Sequence, residues 1–423
     1  MGMALNIGCF PVHHAELGAR TAYADGVLTI DAKAVSALIL QDPRIRAVRL
    51  ELVHPGASVR VLRALDAIEP LSKIRGPGSA FPGFNGPPVT CGAGLTHRLE
   101  GFVVIEVSEF PFPAGGVHAF EEGVIEMSGP GAEFSGCADR VGLCLVLTPG
   151  AASSNVDYDD AIRRAALRVA DHLARATHEL APPRVERFEQ SPAPGLPRIV
   201  WVHQVRAQGP MVQTFLYGHE MTDIVPTVLH PNELRDGALV GANYKTGSKT
   251  PTYMHTHHPS LRTLCARHGR ELDLAGVIVA RGHHESEFLK RRSAHIAAQL
   301  ASVLGAGAAL CTYEGTGNTH IDFMLTVQAL EQRGIVTTAV VHEYGGPEGT
   351  DASLVDFVPE AVALASSGGI DRRLRLPAVE RAIGGSRLAH RGEPAEGELD
   401  LPIQELYAAT IEMNARGVLA QEY

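Results

Sequence analysis

The chain has 423 residues, more than one hydrophobic core usually supports, so its length predicts two or three domains. Hydrophobic residues make up 45%, charged residues 20%, and the mean hydropathy is +0.03, which is typical of a soluble globular protein. The formal net charge of −10, without long Lys or Arg runs, argues against a nucleic-acid interface. We therefore expect a small-molecule substrate.

The sequence also lacks the usual signals for export or membrane insertion. No uninterrupted apolar run approaches the roughly 18 residues that cross a bilayer. The opening MGMALNIGCF has neither the basic start nor the long apolar stretch of a signal peptide. The six cysteines are scattered without CxxC spacing, as in a reducing compartment. These features predict a cytoplasmic protein without a membrane span.

The first 180 residues predict a β-rich domain with many loops. Residues 27–31 read as a strand, and Asp31 can cap the helix that follows before a second strand begins near Arg46. Apolar residues at helical spacing over residues 157–177 predict a helix that closes this domain. The Pro-rich segment 181–198 is the predicted linker, since proline interrupts helices and central strands.

Residues 199–423 predict a doubly wound α/β domain with a mainly parallel sheet. Nearly continuous apolar strands alternate with amphipathic helices, a pattern typical of a parallel sheet covered on both faces. The predicted strands are 199–205, 224–229, 274–280, 308–313 and 336–343, and the predicted helices are 285–304 and 320–333. A last helix is predicted through Leu406 and Met413. The fold class is therefore α/β, with a β-rich first domain.

The stretch PTYMHTHHP, residues 251–259, places three histidines within four residues. On an extended segment, His255 and His257 would point to the same face, and His258 follows directly. Histidine is the most common metal ligand, so the pattern indicates a metal site. The alternative is a surface turn that happens to be rich in histidine.

Further histidines and carboxylates follow the predicted parallel strands, where an open sheet binds its ligands. The three strand ends carry His283, His284 and Glu285; Glu314 and His320; and His342, Glu343 and Tyr344. His203 and His230 also lie near strand ends and are secondary candidates. The alternative is that Glu285 and His320 belong to ordinary helix starts.

These residues give a predicted site with three kinds of roles. The predicted metal ligands are His255, His257, His258, His283, His284 and His342. Glu314 or Glu343 is the predicted general acid or base, and Tyr344 is a proton donor. The loop residues Gly315, Gly317 and Asn318, with His320, are predicted to contact the substrate, the alternative being a tight turn. Zinc or iron is favoured because imidazole suits hard cations poorly. No cofactor-binding motif for a nucleotide is present.

Several longer motifs together resemble a known family. They are GVLTIDAKAVSALILQDPRI, VRLELVHPGASVRV, LTHRLEG, FEEGVIEMSGPGAEF, PTYMH, EGTGN and HEYGGPEG. They resemble the precursor chain of component B of glycine/sarcosine/betaine reductase, and are similar also to the D-proline reductase precursor. The resemblance runs from about residue 20 to the C-terminal region.

The resemblance implies a precursor that cleaves itself at a cysteine into a β chain and an α chain that carries a pyruvoyl group. That group forms a Schiff base with the amine substrate, and a separate selenoprotein subunit supplies a selenol. Here the corresponding region, residues 237–249, contains no cysteine, and Asn243 stands at about its position. We therefore expect one uncleaved chain and no pyruvoyl group, with the hydroxyl groups of Thr246 and Ser248 as the alternative.

Within the resemblance, His255 matches a shared position, whereas the other predicted histidines replace different residue types. The leading hypothesis is therefore a metal-dependent subunit that acts on a small amine- or carboxylate-bearing substrate by C–N or C–S bond cleavage or by hydrolysis. The alternative is a non-catalytic subunit that scaffolds a partner with a reactive cysteine or selenocysteine. Either hypothesis predicts an oligomer with a second subunit resembling the selenoprotein subunit.

Overall fold

The computed structural model describes residues 3–112, 123–243, 247–346, 348, 350–389 and 392–409. Over these ranges the fold is mixed α/β, with several sheets and one large sheet of mostly parallel strands. This confirms the α/β class and the mainly parallel sheet, while the predicted division into two domains stays a prediction. Among the described helices, none combines the length and the hydropathy that a transmembrane helix requires.

The first half is built on two mixed four-stranded sheets, with strand orders β13-β1-β9-β8 and β5-β12-β10-β7. Its elements in chain order are β1 (Ala4–Pro11), β2 (His14–Gly18), β3 (Ala22–Ala24), β4 (Val27–Asp31), α1 (Ala32–Ile39), β5 (Ile45–Val53), β6 (Val59–Val61), β7 (Ala64–Ile68), β8 (Leu71–Arg75), β9 (Gly94–Glu100), β10 (Phe102–Ser108), β11 (Ile125–Glu126), β12 (Val141–Pro149), α2 (Asn155–Ala174) and β13 (Arg184–Glu189).

Helix α2 is the main helix of this half and packs in its core. The Ser154 hydroxyl accepts a hydrogen bond from Asp157 N at 3.1 Å, which satisfies one of the free donors at the helix start. Its buried face includes Tyr158, Ile162 and Leu173, spaced to meet the sheets. The predicted helix over 157–177 is thus confirmed, and its last three residues form a 3₁₀ turn.

The second half continues with further elements. They are β14 (Arg198–Arg206), β15 (Phe215–Leu216), β16 (His219–Glu220), β17 (Thr227–Leu229), α3 (Pro231–Arg235), β18 (Leu239–Val240), α4 (Thr252–Thr256), α5 (Pro259–Arg267), β19 (Asp273–Gly282), α6 (Glu287–Val303), β20 (Ala308–Tyr313), α7 (Asn318–Glu331), β21 (Val336–Glu343), β22 (Leu364–Gly369), β23 (Arg373–Leu376), β24 (Arg381–Ile383) and β25 (Leu399–Pro402).

The large sheet has the strand order β17-β19-β14-β20-β21-β22. Its pairs are parallel except for β17, which runs antiparallel to β19 at one edge. In the sheet, β19 lies on one side of β14 and the following strand, β20, lies on the other side of β14. Such a reversal opens a crevice at the carboxyl ends of β14 and β20, where ligands of open α/β sheets bind.

Three sequence predictions are wrong in detail. The strand expected over 224–229 is shortened to β17, because Pro226 lacks the N–H that a central strand needs. This strand also runs antiparallel to β19. The predicted strands did not include β22, which forms the opposite edge. The predicted last helix does not include Leu406, because residues 403–405 form a 3₁₀ turn that ends there. Met413, the other residue of that prediction, lies outside the described residues.

The predicted domain boundaries stay a prediction, although strand pairing crosses them. The predicted linker contains β13, which pairs with β1 as an edge strand and occupies a stretch without proline. Strand β24, beyond the large sheet, pairs in parallel with β6 of the first half. The chain therefore returns to its first half after completing the large sheet.

Candidate functional site

The histidine-rich stretch is helical rather than extended, which corrects the sequence prediction. Helix α4 spans Thr252–Thr256, and Thr252 anchors it because its backbone N donates to Asp66 Oδ1 at 3.0 Å. His255 lies in the helix and His257 lies at its C-terminal cap, so they do not share a face. This tertiary anchor outweighs the modest helix propensity of the segment.

His255 meets two residues of the large sheet at the crevice. One ligand atom each from His203 on β14, His255 on α4 and Glu314 after β20 lie within 4.8 Å of one another. Glu314 Oε1 is 3.3 Å from His255 Nε2 and 4.0 Å from His203 Nε2. The three side chains are buried. We call this group the His203–His255–Glu314 cluster.

Among the residues that the structure describes, the facing atoms of this cluster have no hydrogen-bond partner. His203 Nε2, both ring nitrogens of His255, and Glu314 Oε1 are buried and unpartnered, since the 3.3 Å contact is not aligned as a hydrogen bond. His258 Nε2 is also unpartnered, and its ring centroid lies 5.0 Å from that of His203. Buried polar atoms without partners are destabilising, so their concentration indicates a binding site.

Neighbouring groups fix the orientation of the cluster. Thr312 Oγ1 lies 2.9 Å from His203 Nδ1 and accepts a hydrogen bond from Trp201 Nε1 at 2.9 Å. The other carboxylate oxygen of Glu314, Oε2, accepts from Arg206 N at 3.0 Å. Outer contacts of this kind are what position metal-ligating side chains.

Burial controls the protonation of these groups. It lowers the pKa of His203 to about 3 and raises the pKa of Glu314 to about 7. Burial, and then the neighbouring imidazole of His203, also lowers the pKa of His255 and His258 well below the usual value. The imidazoles are therefore neutral, and a neutral imidazole has a lone pair that can bind a metal ion.

His258 and His230, by contrast, are N-cap residues, and each uses its ring nitrogen Nδ1 to accept a hydrogen bond from the helix that follows. His258 Nδ1 accepts from Ser260 N at 3.1 Å at the start of α5, and His230 Nδ1 accepts from Asn232 N at 3.1 Å at the start of α3. His258 still has Nε2 next to His203. His230 has a capping role.

His257 is not brought to the cluster. Its Nδ1 lies 2.9 Å from Arg98 Nη1, in the first half of the chain. Burial, followed by the charge of Arg98, lowers the pKa of His257 to about 2. A metal ion at this ring would have to compete with a guanidinium group, which disfavours the predicted ligand role.

His283 and His284 form a separate group around Asp322. Asp322 Oδ2 accepts from the backbone N of both histidines at 2.8 and 3.0 Å, and Oδ1 lies 3.0 Å from His284 Nδ1. Lys290 Nζ donates to the same carboxylate at 2.9 Å. Glu285 pairs with Arg281.

His320 and His342 form a third group around Tyr313. The Tyr313 hydroxyl lies 2.9 Å from His320 Nδ1 and 3.1 Å from His342 Nε2. Successive residues of a strand face opposite sides of the sheet, so Tyr313 faces away from Thr312 and Glu314. The strand-end rule placed these residues at the correct edge, and this alternation separates them.

The backbone and side chains of the predicted substrate loop are held by hydrogen bonds to other segments of the chain. Gly315 N donates to Ser248 O at 2.9 Å, and Gly317 N donates to the hydroxyl oxygen of Tyr344 at 2.9 Å. Asn318 Nδ2 donates to His284 O at 3.1 Å. Gly315 and Gly317 have positive φ angles of 90° and 60°, which glycine adopts readily. Glu343 lies half-buried at the end of β21.

Sequence reasoning missed a second polar cluster, around Asn243. Its members are Asp66 on β7, Glu106 on β10, Asp159 and Arg163 on α2, and Asn243 and Lys249 between β18 and α4, all buried. We call it the Asn243 cluster. Single carboxylates inside the apolar runs ALDAI and FVVIEV are the signal that could have revealed Asp66 and Glu106, because such groups are rarely buried without a role.

Comparisons with known proteins agree with the resemblance. Residues 3–418 match the family model for glycine/sarcosine/betaine reductase component B subunits. The chain is 32% identical to the sarcosine reductase complex component B subunit alpha of Peptoclostridium acidaminophilum, over 90% of this chain and 89% of that protein. It is 29% identical to the glycine reductase complex component B subunits alpha and beta of Acetoanaerobium sticklandii, over the full length of both.

A more distant match is the D-proline reductase proprotein of Acetoanaerobium sticklandii, 21% identical over 77% of this chain and 52% of that protein. No solved structure matches the chain. The family model covers nearly the whole chain. The chain therefore belongs to the glycine/sarcosine/betaine reductase component B family.

Proposed function

We propose that this chain is a metal-dependent enzyme subunit of its family, in which His203, His255 and Glu314 bind zinc or iron. The observation that carries this proposal is that their facing atoms lie within 4.8 Å of one another, buried and without hydrogen-bond partners in the described part of the chain. Two imidazoles and one carboxylate suit zinc and iron(II), and such sites leave coordination positions open for substrate. His258 Nε2 is the nearby candidate for a further ligand.

The proposed ligand set differs from the set predicted from sequence. It retains His255, adds His203, and assigns Glu314 to the metal instead of to proton transfer. His257 is left out because it contacts Arg98, and the groups around Asp322 and Tyr313 have partners of their own. Glu343 and Tyr344 remain proposed proton-transfer residues at the neighbouring strand end.

The metal ion, when bound, would polarise a substrate carbonyl or lower the pKa of a bound water to about 7. The chain itself holds the ligands in place, through Thr312 at His203 and through the backbone N of Arg206 at Glu314. Trp201 packs against His203 with ring centroids 4.8 Å apart and helps to exclude water. Exclusion of water strengthens every electrostatic interaction at such a centre.

The proposed substrate is a small amine- or carboxylate-bearing molecule, with C–N or C–S bond cleavage or hydrolysis as the reaction. The relatives are named as subunits of sarcosine and glycine reductase complexes, which supports this substrate class and the presence of a partner subunit. We propose that this partner resembles the selenoprotein subunit. We further propose that the chain carries no pyruvoyl group. Asn243 offers neither a thiol nor a hydroxyl; of the alternatives, Ser248 is buried and Thr246 lies outside the described residues.

Metal analysis of purified protein tests the metal site. We expect about one equivalent of zinc or iron per chain, falling at least tenfold in His203→Ala and His255→Ala. His295→Ala is the matched control, because His295 is exposed on α6. Less than about 0.2 equivalents in wild type, with thermal stability indifferent to chelators, would contradict the proposal.

Intact mass spectrometry tests the absence of a pyruvoyl group. An uncleaved chain has a mass of 45.0 kDa, whereas cleavage near Asn243 would give two fragments. Two fragments, one blocked at its N-terminus, would show that Ser248 or Thr246 replaces the family cysteine.

A scaffold role is the second candidate, and the burial of the cluster favours it. His203 and His255 are 0% exposed and Glu314 is 2% exposed, whereas a substrate needs access. Co-purification of the partner subunit with the double variant His203→Ala/His255→Ala distinguishes the two roles. A complex that forms and keeps its activity supports the scaffold, and a complex that forms without activity supports the enzyme.

A further inference from the structure

The first half of the chain contains a polar cavity that the proposed metal site does not use. Its volume is about 270 Å³, and it is lined by strand β8, the glycine-rich loop 76–80, Asn85, the end of helix α2 and the turn that follows. The lining is separate from the His203–His255–Glu314 cluster. The cavity therefore needs a function of its own.

The charged side chains of the lining are mostly cationic. Lys73, Arg75 and Arg175 contribute three cations, and Asp171 contributes one carboxylate. Lys73 Nζ pairs with Asp236, and Arg175 Nε donates to Asp171 Oδ2 at 2.7 Å. Arg75 is exposed and forms no ion pair with the described residues. Its guanidinium group is thus the charge that a ligand can pair with.

The carboxylate of the lining, Asp171, is already satisfied. Its Oδ1 accepts a hydrogen bond from Ser72 Oγ at 2.7 Å, and Arg175 occupies its other oxygen. The Ser72 hydroxyl oxygen also lies 2.9 Å from His178 Nε2. Because the Ser72 proton goes to Asp171, His178 Nε2 donates to Ser72. Asp171 therefore has its charge compensated and does not call for a cation in the cavity.

The glycine-rich loop provides further donors without a partner. The Ser79 hydroxyl oxygen is buried and unpartnered, and the backbone N–H groups of Gly78 and Ser79 form no hydrogen bond within the described ranges. Gly76 and Gly78 have positive φ angles of 121° and 72°, which glycine adopts readily. Successive backbone N–H groups in such turns are a common way to bind an anion.

Asn85 provides an acceptor in the same lining. Its Nδ2 donates to Leu167 O at 3.0 Å, which fixes the orientation of the amide. Its Oδ1 is buried and has no partner in the described part of the chain. A buried acceptor without a partner is unfavourable, so a ligand that donates a hydrogen bond here is favoured.

We propose that this cavity binds a small oxyanion, a carboxylate or a phosphate group, which also carries a hydroxyl or N–H group. Arg75, the Ser79 hydroxyl and the loop N–H groups bind the anionic oxygens, and Asn85 Oδ1 accepts from the ligand's own donor. Charge-assisted hydrogen bonds to a guanidinium group are among the stronger polar contacts in proteins. The site does not depend on the proposed metal.

Thermal unfolding of chelator-treated protein tests this site apart from the metal. Sodium phosphate, sodium glycolate and sodium chloride are compared at equal pH and ionic strength; hydrogen phosphate and glycolate each carry an O–H group. We expect phosphate or glycolate, at about 50 mM, to raise the melting temperature by about 1–2 °C relative to chloride.

Two variants link this shift to the cavity. Arg75→Gln removes the unpaired cation, and Ser79→Ala removes the unpartnered hydroxyl, so each should reduce the shift by about half or more. Both variants should fold, because neither side chain has a partner among the described residues. Arg270→Gln is the control, since Arg270 is exposed in the second half of the chain, and it should retain the shift.

The pattern across salts identifies the ligand group. A shift with phosphate indicates a phosphate group, and a shift with glycolate alone indicates a carboxylate. Equal melting temperatures in all three salts would overturn the proposal. So would a shift that persists in full in both Arg75→Gln and Ser79→Ala, because it would then be the general stabilisation that excluded salts produce.

Discussion

The two buried polar clusters differ in how their groups are satisfied. In the His203–His255–Glu314 cluster the imidazoles are neutral, and their facing atoms have no hydrogen-bond partner within the described ranges. In the Asn243 cluster most charges are locked in ion pairs, as Lys249 is with Asp66. Replacing buried, unpartnered neutral groups by apolar ones costs little free energy of unfolding. Removing one partner of a buried ion pair leaves the other as an unpaired buried charge, which is strongly destabilising. We therefore expect the first cluster to be dispensable for folding and the second to be required.

The largest expected effect comes from Lys249→Met. The variant leaves Asp66 buried without its cation, so we expect the free energy of unfolding to fall by about 3–5 kcal/mol. Denaturant unfolding measures this loss. Lys33→Met, at an exposed position on α1, is the control and should stay within about 0.5 kcal/mol of wild type. The double variant Lys249→Met/Asp66→Asn should recover part of the lost stability, because it also removes the unpaired carboxylate. A loss below about 1 kcal/mol in Lys249→Met alone would contradict the difference drawn between the two clusters.

A second effect depends on pH and concerns Glu106. Burial, together with the charge of Asp66, raises the pKa of Glu106 from 4.5 to about 8, although Arg163 and Lys249 oppose this. The folded state thus holds a proton that the unfolded state has lost, so this contribution to stability is present below pH 4.5 and is lost as pH rises through about 8.

Denaturant unfolding of wild type and of Glu106→Gln, between about pH 5 and about pH 9, measures this contribution to stability. We expect wild-type stability to fall relative to the variant by a few kcal/mol, roughly 1.4 kcal/mol per pKa unit. The charges that face Glu106 are those of Asp66, Asp159, Arg163 and Lys249. Parallel pH profiles for the two proteins would show that Glu106 is not the group responsible.

The smallest expected effect comes from His203→Phe and His255→Leu in metal-free protein. His255→Leu removes two ring nitrogens without a partner among the described residues, so we expect the free energy of unfolding to change by less than about 1 kcal/mol. His203→Phe also removes the contact between His203 Nδ1 and Thr312 Oγ1, so we expect it to lose about 1 kcal/mol more. Thr312→Val, which removes a hydroxyl in contact with Trp201 and His203, is the comparison and should lose more. A loss above about 3 kcal/mol in either histidine variant would make the cluster structural rather than ligand-binding.

Much of the fold could be predicted from sequence because its signals are local. Apolar spacing located α2, α6 and α7, and Asp31 caps α1 through hydrogen bonds from Lys33 N and Ala34 N as predicted. The antiparallel direction of β17 could not be predicted, since strand direction depends on the neighbouring strand. The same holds for the pairing of β13 with β1.

The candidate site was predicted in part. His255 and Glu314 were named, and the strand-end rule correctly indicated the edge of the sheet. His203 was only a secondary candidate, although it lies in the centre of the cluster. The rule does not say on which face of the sheet a side chain lies, which is why His342 meets Tyr313 instead of Glu314.

The family, the mixed α/β class and the lack of a cysteine near Asn243 follow from residue identity and short-range pattern alone. Which histidines meet depends on how distant parts of the chain pack together. Helix α4 is held by Asp66, a residue far away in the chain, and that contact turns His255 toward Glu314 while His257 turns toward Arg98. Contacts between residues so far apart in the chain are set by tertiary packing, and no local sequence pattern predicts them.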